Sequence, residues 1–246
     1  MEVSLEKGIR KFVFNRPQKR NAITLETYET LTQILNKDAN NDNVIVTIIT
    51  ARENFFSSGN DFKCSLMNPE VDHTDIVKNM LDTLIKYPKI LVAVVNGPAI
   101  GIAATLITLC DIIYCSDRAT FEIPFIRLGL SMEGCSSYIY SHVLGKSKAA
   151  EMLFFNHILT AKEAYRLGFV ADIIPHEKLV EFIESLYRFG SLPLKSVVRN
   201  KELFTRWSRH ALLKCNEEET EVLKESLESE EFLHTVTSML QKKSKL

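Results

Sequence analysis

The stretch from Phe55 to Phe62 reads FFSSGNDF and follows the apolar run Val44 to Thr50 (VIVTIIT). It holds two small hydroxyl residues, a glycine, an amide and an acid. Gly59 can take positive φ, or let a ligand pass close to the backbone with no Cβ in the way. A polar turn after a buried strand is where an open α/β protein presents main-chain N–H groups to a ligand. An ordinary strand-to-helix turn fits the same residues equally well. A second turn, Asn96-Gly97-Pro98-Ala99-Ile100-Gly101, also follows an apolar strand and opens an apolar helix. Two such turns can aim two amides at one point, and paired amides suit a developing negative oxygen. The acid Glu133 stands between an apolar run and Gly134, ahead of a helix. On its residues alone it reads as an exposed first-turn acid.

The elements that position these groups follow from periodicity. Gly8 to Asn15 alternates apolar and polar and reads as an edge or half-buried strand, stopped by Arg16-Pro17. Thr24 is a natural N-cap for a helix with Leu25, Tyr28, Leu31 and Leu35 on one face. Ile76, Met80, Leu81, Leu84 and Ile85 fit a second helix, ended by Tyr87-Pro88. Ile90 to Val95 is a continuous apolar strand, and Gly101 to Leu109 is apolar nearly all round, as a buried helix would be. Strands follow at Asp111 to Ser116 and Thr120 to Ile123, then helices at Gly134 to Leu144 and Lys146 to Phe155. Thr160 to Glu163 is a capping box for a short helix ending at Gly168. Val170 to Ile174 is the last strand. Helical patterns cover His176 to Phe189, Pro193 to Thr205, Ser208 to Leu227 and Glu230 to about Gln241. The acidic cluster Glu217-Glu218-Glu219-Glu221 reads as a solvated helix face. Alternating strands and helices followed by helices alone predict an α/β core over 1–190 with a helical C-terminal region over 191–246.

Whole-chain properties narrow the function. At 246 residues the chain can bury a core without staples. A formal net charge of −1 gives no basic surplus for nucleic acid or an anionic membrane. The five cysteines (Cys64, Cys110, Cys115, Cys135, Cys215) are odd in number and lack metal-ligand spacing, which predicts reduced, packed thiols. No histidine pair suggests a metal site. The N-terminus has acids early and no apolar core, unlike a signal peptide. The longest apolar stretch, Ile90 to Cys115, is cut by Asn96, Gly97, Pro98 and Asp111, so no membrane span is expected. Ser244-Lys245-Leu246 is an address read by the peroxisomal import receptor, which predicts the peroxisomal matrix.

The motifs Asn15-Arg16-Pro17 with Asn21-Ala22, SSGND, NGPAIG, CDIIYCSDRATF at 110–121 and LTAKEAYRLGFV at 159–170 occur in an order that spans the chain. Together they resemble the crotonase (enoyl-CoA hydratase/isomerase) superfamily. The segment EGCSSY and the terminal SKL bring the chain nearest to its peroxisomal delta-3,delta-2-enoyl-CoA isomerase branch. The resemblance implies a crotonase spiral of repeated ββα units with acyl-CoA bound across it. It implies a homotrimer or dimer of trimers, with the terminal helices between subunits. It assigns the oxyanion-hole amides to Asn60 and Ile102, and runs the CoA moiety along Ser58, Gly59, Asn60, Asp61 and Phe62. The Asp61 carboxylate itself reads as a cap for the next turn. Arg16, Lys19 and Arg20 fall in the segment used near the phosphates, with Lys242 and Lys243 as weaker candidates. Ile102 departs from the glycine-rich turn of hydratases.

The reaction class turns on the acids. The two glutamates with which hydratases activate water fall on Thr105 and Phe125 here, and neither exchanges protons in that role. The family position assigns the base to Glu133. One carboxyl group suffices to carry a proton from C2 to C4 of a 3-enoyl-CoA while two amides hold the dienolate. No cofactor is implied, since CoA is part of the substrate. Other readings are a dienoyl-CoA isomerase, for which a second pocket acid is expected but not placed, a thioester hydrolase, and a non-catalytic acyl-CoA or protein-binding module. Ser136 and Ser137 lack the GxSxG elbow and paired histidine of a serine hydrolase.

Overall fold

The computed structural model describes residues 1–61 and 73–243. The strands are β1 (Glu2–Glu6), β2 (Ile9–Phe14), β3 (Val46–Ala51), β4 (Ile90–Val95), β5 (Ala99–Ile100), β6 (Ile112–Ser116), β7 (Thr120–Glu122), β8 (Leu159–Thr160) and β9 (Asp172–Ile174). The helices are α1 (Leu25–Ala39), α2 (His73–Lys86), α3 (Ile102–Leu106), α4 (Ser136–Leu144), α5 (Lys146–Phe155), α6 (Ala161–Arg166), α7 (Leu179–Ser185), α8 (Leu194–Glu228) and α9 (Glu230–Lys243).

Among the described residues the larger sheet runs β1-β2-β3-β4-β6-β9, antiparallel at β1 and parallel from β2 onward. Its central strands, VTIITA and ILVAVV, are buried on both faces, which is why they show no polar alternation. One face packs Phe12, Ile49, Leu91, Ala93 and Val95 against α1, α2 and α3; the other packs Ile9, Ile48, Val92 and Val94 under Leu179 and Leu186. A smaller sheet, β5-β7-β8, stands beside it. Thr24 caps α1 through the Thr27 amide, and the capping box at Thr160–Glu163 opens α6 as predicted.

Several elements differ from the sequence expectation: the helix expected over His176–Phe189 is α7 flanked by 3-10 turns, β5 and β8 are additional short strands, and three further differences have a clear cause. β2 lies inside the sheet, because Glu2–Glu6, a short, mostly exposed strand whose apolar alternation is limited to Val3 and Leu5, pairs outside it. The buried helix expected over Gly101–Leu109 is α3 followed by a 3-10 turn at Ile107–Leu109. There the Thr105 and Thr108 hydroxyls bond the carbonyls of Ile102 and Thr105, three residues back, a spacing that suits the tighter turn. The two helices expected at Pro193–Thr205 and Ser208–Leu227 are one, α8, of 35 residues. No glycine or proline interrupts its interior. The lost apolar period at Arg206-Trp207 marks only a solvated stretch, where Trp207 is 79% exposed.

Candidate active site

Two buried asparagines draw the turns together. Asn21 donates to the carbonyls of Arg52 (2.9 Å) and Phe55 (2.7 Å), and Asn96 donates to Glu53 (2.6 Å) and, at 3.3 Å, to Phe55. Parallel bridges then stitch Ser57 to Ala99 and Ile23 to Asn60. Gly59, at φ +84°, is held by its amide on Ser57 Oγ, and a β-carbon there would sit 2.8 Å from the Ile100 carbonyl oxygen. A side chain at 59 would therefore force the turns apart.

Among the described residues this arrangement leaves specific amides unspent. Ile23 donates to the Gly59 carbonyl and accepts from the Asp61 amide, so the bridge does not use the Asn60 N–H. Ile102 is the first residue of α3, where an amide has no intrahelical acceptor. The Asn60 side chain is oriented by Tyr28, whose buried hydroxyl donates to Oδ1 at 2.6 Å.

Glu133 meets this region from the other side. It precedes two left-handed residues, Gly134 and Cys135, that turn the chain into α4. A β-carbon at Gly134 would lie 2.7 Å from Thr105 Cβ and 3.5 Å from Ile102 Cδ1, so the turn rests directly on the start of α3. Glu133 is 7% exposed, and among the described residues nothing hydrogen-bonds its carboxylate. It faces a cavity of about 400 Å³, shared with Tyr28 and Asn60 and walled by Val77, Leu81, Leu130, Leu223 and Phe232. Burial in these apolar surroundings, and secondarily the nearby Glu219, push its carboxyl up to about 8. The same burial, with Glu133 beside it, raises the Tyr28 phenol.

Glu133 and Asn60 therefore share one cavity, whereas Ile102 is buried against Gly134 and does not line it. Thr105 and Phe125 are buried without an acid between them. Ser58, Lys19 and Arg20 gather on the outer side of the turn. The Ser58 amide donates to the Arg20 carbonyl, Arg20 lies over the Phe55 ring, and the Lys19 and Arg20 side chains are exposed. Arg16 donates to Asp61 at 3.0 Å and to the Ala22 carbonyl, so the Asp61 carboxylate pairs with Arg16 and its amide with Ile23. Phe62, the side chains of Lys242 and Lys243, and Ser244-Lys245-Leu246 lie outside the described residues. Cys110, Cys115, Cys135 and Cys215 are free thiols, the first three buried.

One residue overturns its sequence reading. Glu217, Glu218 and Glu221 are solvated, but Glu219 is buried, lines the cavity, and accepts from the amides of Cys135 (2.7 Å) and Ser137 (2.8 Å). The signal was available in the helical spacing. Asn216, Glu219, Thr220 and Leu223 form the i, i+3, i+4, i+7 stripe that α8 buries. Glu219 is also a second buried acid in the cavity, beside the less buried Asp61 and Glu228, and sequence reasoning did not place it.

Residues 4–245 match the family model described as Enoyl-CoA hydratase/isomerase. The chain is 41% identical over 251 residues to rat "Enoyl-CoA delta isomerase 2", covering 99% of this chain and 64% of that one. It is 38% identical to mouse "Enoyl-CoA delta isomerase 3, peroxisomal", covering 99% and 78%. A solved enoyl-CoA hydratase/isomerase from Pseudoalteromonas atlantica T6c superposes with a TM-score of 0.91 at 30% identity, over 98% of this chain and 96% of that one. The chain thus spans somewhat less than two thirds of the rat relative's length.

Proposed function

For a chain that belongs to the enoyl-CoA hydratase/isomerase family, we propose the activity of a delta-3,delta-2-enoyl-CoA isomerase with Glu133 as its proton carrier. The observation that carries this reading is a buried carboxylate with no hydrogen-bond partner among the described residues, facing a largely apolar cavity next to Asn60. Glu133 takes a proton from C2 of a 3-enoyl-CoA. The C–H electron pair moves into a dienolate, whose oxygen the Asn60 and Ile102 amides hold. The Glu133 carboxylic acid then protonates C4, giving the 2-trans-enoyl thioester and restoring the carboxylate. Each step balances with no cofactor, CoA entering as part of the substrate. The names of the rat and mouse relatives support the same reading.

A specific observation favours a second reading. Glu219 supplies a second buried acid in the cavity, as a dienoyl-CoA isomerase is expected to have. Both of its oxygens are engaged by main-chain amides, however, which leaves it poorly placed to exchange protons with a substrate. The exposed cations Lys19 and Arg20 suit the CoA phosphates, and Arg16 acts through Asp61 on the turn that holds the thioester. Exposed Phe154, Phe155, Phe204 and Trp207 support packing against further copies as a homotrimer or dimer of trimers. Among the described residues no helix is long and apolar enough to cross a membrane. The mouse relative's name supports a peroxisomal site of action.

The test gives the purified chain 3-hexenoyl-CoA and follows the ultraviolet absorbance of the conjugated product. Activity is expected in the native chain, with a loss of at least about 100-fold in Glu133→Gln while CoA binding persists. Hydration of crotonyl-CoA should be negligible, since Thr105 and Phe125 activate no water. Retained activity in Glu133→Gln, or efficient hydration, contradicts the proposal.

A further inference from the structure

We propose that Glu219 is a positioning residue for the reaction: its carboxylate pins the segment that presents Glu133 and places a second negative charge beside it. This inference rests on the isomerase reading for its consequence in turnover, but not for its geometry.

The geometry is specific. Glu219 reaches across from α8 to the start of α4, 82 to 84 residues earlier in the chain, and takes the Cys135 and Ser137 amides on its two oxygens. Those amides belong to the first turn of α4, where main-chain donors lack helical acceptors and the helix dipole favours an anion. Glu133 lies two residues before Cys135, and the Gly134-Cys135 pair between them is held at positive φ. The Glu219 contact therefore fixes the direction in which the Glu133 side chain leaves the backbone. It also fixes the spacing of two carboxylates in one apolar cavity, where like charges disfavour double ionisation.

The other charged groups around this pair are largely matched. From α2, Lys78 is paired with Asp82 at 3.3 Å, and Asp82 also accepts from Asn216 of α8. From the turn, Asp61 is paired with Arg16. From α1 the facing group is Tyr28, a phenol that burial keeps protonated. His73 and Glu228 line other parts of the same cavity. The Cys215 thiol of α8 meets Ser137 Oγ at 3.3 Å, and the Cys135 thiol donates to the Leu212 carbonyl. Glu219 is the neighbour whose charge acts on Glu133 as ionisation of that carboxyl is decided.

The experiment compares native chain, Glu219→Gln, Glu219→Asp and the exposed control Glu217→Gln over pH 5 to about 9. In Glu219→Gln one amide loses its acceptor and the charge is gone. The acid limb of kcat/KM for 3-hexenoyl-CoA should then move about one unit to lower pH, with kcat reduced at the plateau. Glu219→Asp keeps the charge but cannot span both amides, so kcat should fall while the limb moves less than half as far. A merely structural residue would lower melting temperature and active fraction without moving the limb. That outcome in Glu219→Gln overturns the proposal; if that variant does not fold, native kcat and limb in Glu219→Asp overturn it. In parallel, the Glu133 carboxyl is titrated by carbon-13 NMR in glutamate-labelled native and Glu219→Gln protein. A native chain without isomerase activity counts against the isomerase reading alone. A Glu133 titration that Glu219→Gln leaves unchanged counts against the pairing, whatever the activity.

Discussion

At the scale of single residues, the account turns on a carboxyl group that burial makes a stronger base. With its midpoint raised to about 8, Glu133 holds a proton over most of the neutral range. If Glu133 is the base proposed above, kcat/KM should climb with pH and level off above about 8. The same shift has a consequence for stability. Between the ordinary carboxyl range and about 8 the folded chain holds a proton that the unfolded chain has released. Stability contributed by this group is therefore complete below the unfolded midpoint and is lost as pH rises through the folded one. Glu133→Gln removes the dependence. Its melting temperature, measured against native from pH 5 to 9, should show a stabilisation that grows with pH, on the order of a few kcal/mol at the alkaline end. A constant difference across that range would mean that Glu133 is solvated. Sequence alone left Glu133 open, since a glutamate before a helix is most simply exposed; only the family resemblance singled it out. Asn21 and Asn96 stood in quoted motifs, but their work of pulling two turns onto the Phe55 carbonyl is a matter of approach, which spacing does not reveal.

At the scale of elements, the Gly134 turn decides whether Glu133 faces the cavity. The turn carries positive φ and lies directly on Thr105. Gly134→Ala combines a left-handed backbone penalty with a collision in a packed interior, where overpacking costs about 1–3 kcal/mol. We expect chemical denaturation to show a loss of about 2–4 kcal/mol, together with an activity loss larger than the unfolded fraction explains, because the helix start moves with the turn. An unchanged midpoint would contradict the packing described. Most elements were legible because their periodicity is strong, as in α1 and α2 with their Leu and Met stripes, or because a cap announces them, as at Thr160. The failures share one cause. β1 is short and mostly exposed, with only Val3 and Leu5 alternating, and the middle of α8 is solvated, so the apolar signal is weak in one and lost in the other. β1 is held by the adjacent strand β2, whereas α8 is held by partners remote in sequence. Lys201 is one example: from α8 it reaches Asp111 and the Lys89 carbonyl at the ends of two strands, each at 2.7 Å.

At the scale of the molecule, the cavity is assembled from both ends of the chain. Tyr28 and Asn60 come from the first quarter, Leu81 from α2, Glu133 from the middle, and Leu223 and Phe232 from the last helices. The α/β core and its helical C-terminal region follow from the order of strand and helix patterns. That the C-terminal helices close over Glu133 does not, because Glu219 looks like one acid among four until α8 is wound and its buried face found. In the proposed reaction a largely apolar enclosure would keep the abstracted proton away from water during the lifetime of the dienolate. The most direct measurement follows that atom. The native chain would be given 3-hexenoyl-CoA carrying deuterium at both C2 positions, and the 2-hexenoyl product analysed by NMR and mass spectrometry. A single carboxyl carrier in a dry cavity predicts deuterium delivered to C4 within one molecule. Product with full activity but only solvent hydrogen at C4 would contradict the shuttle and call for a second proton source.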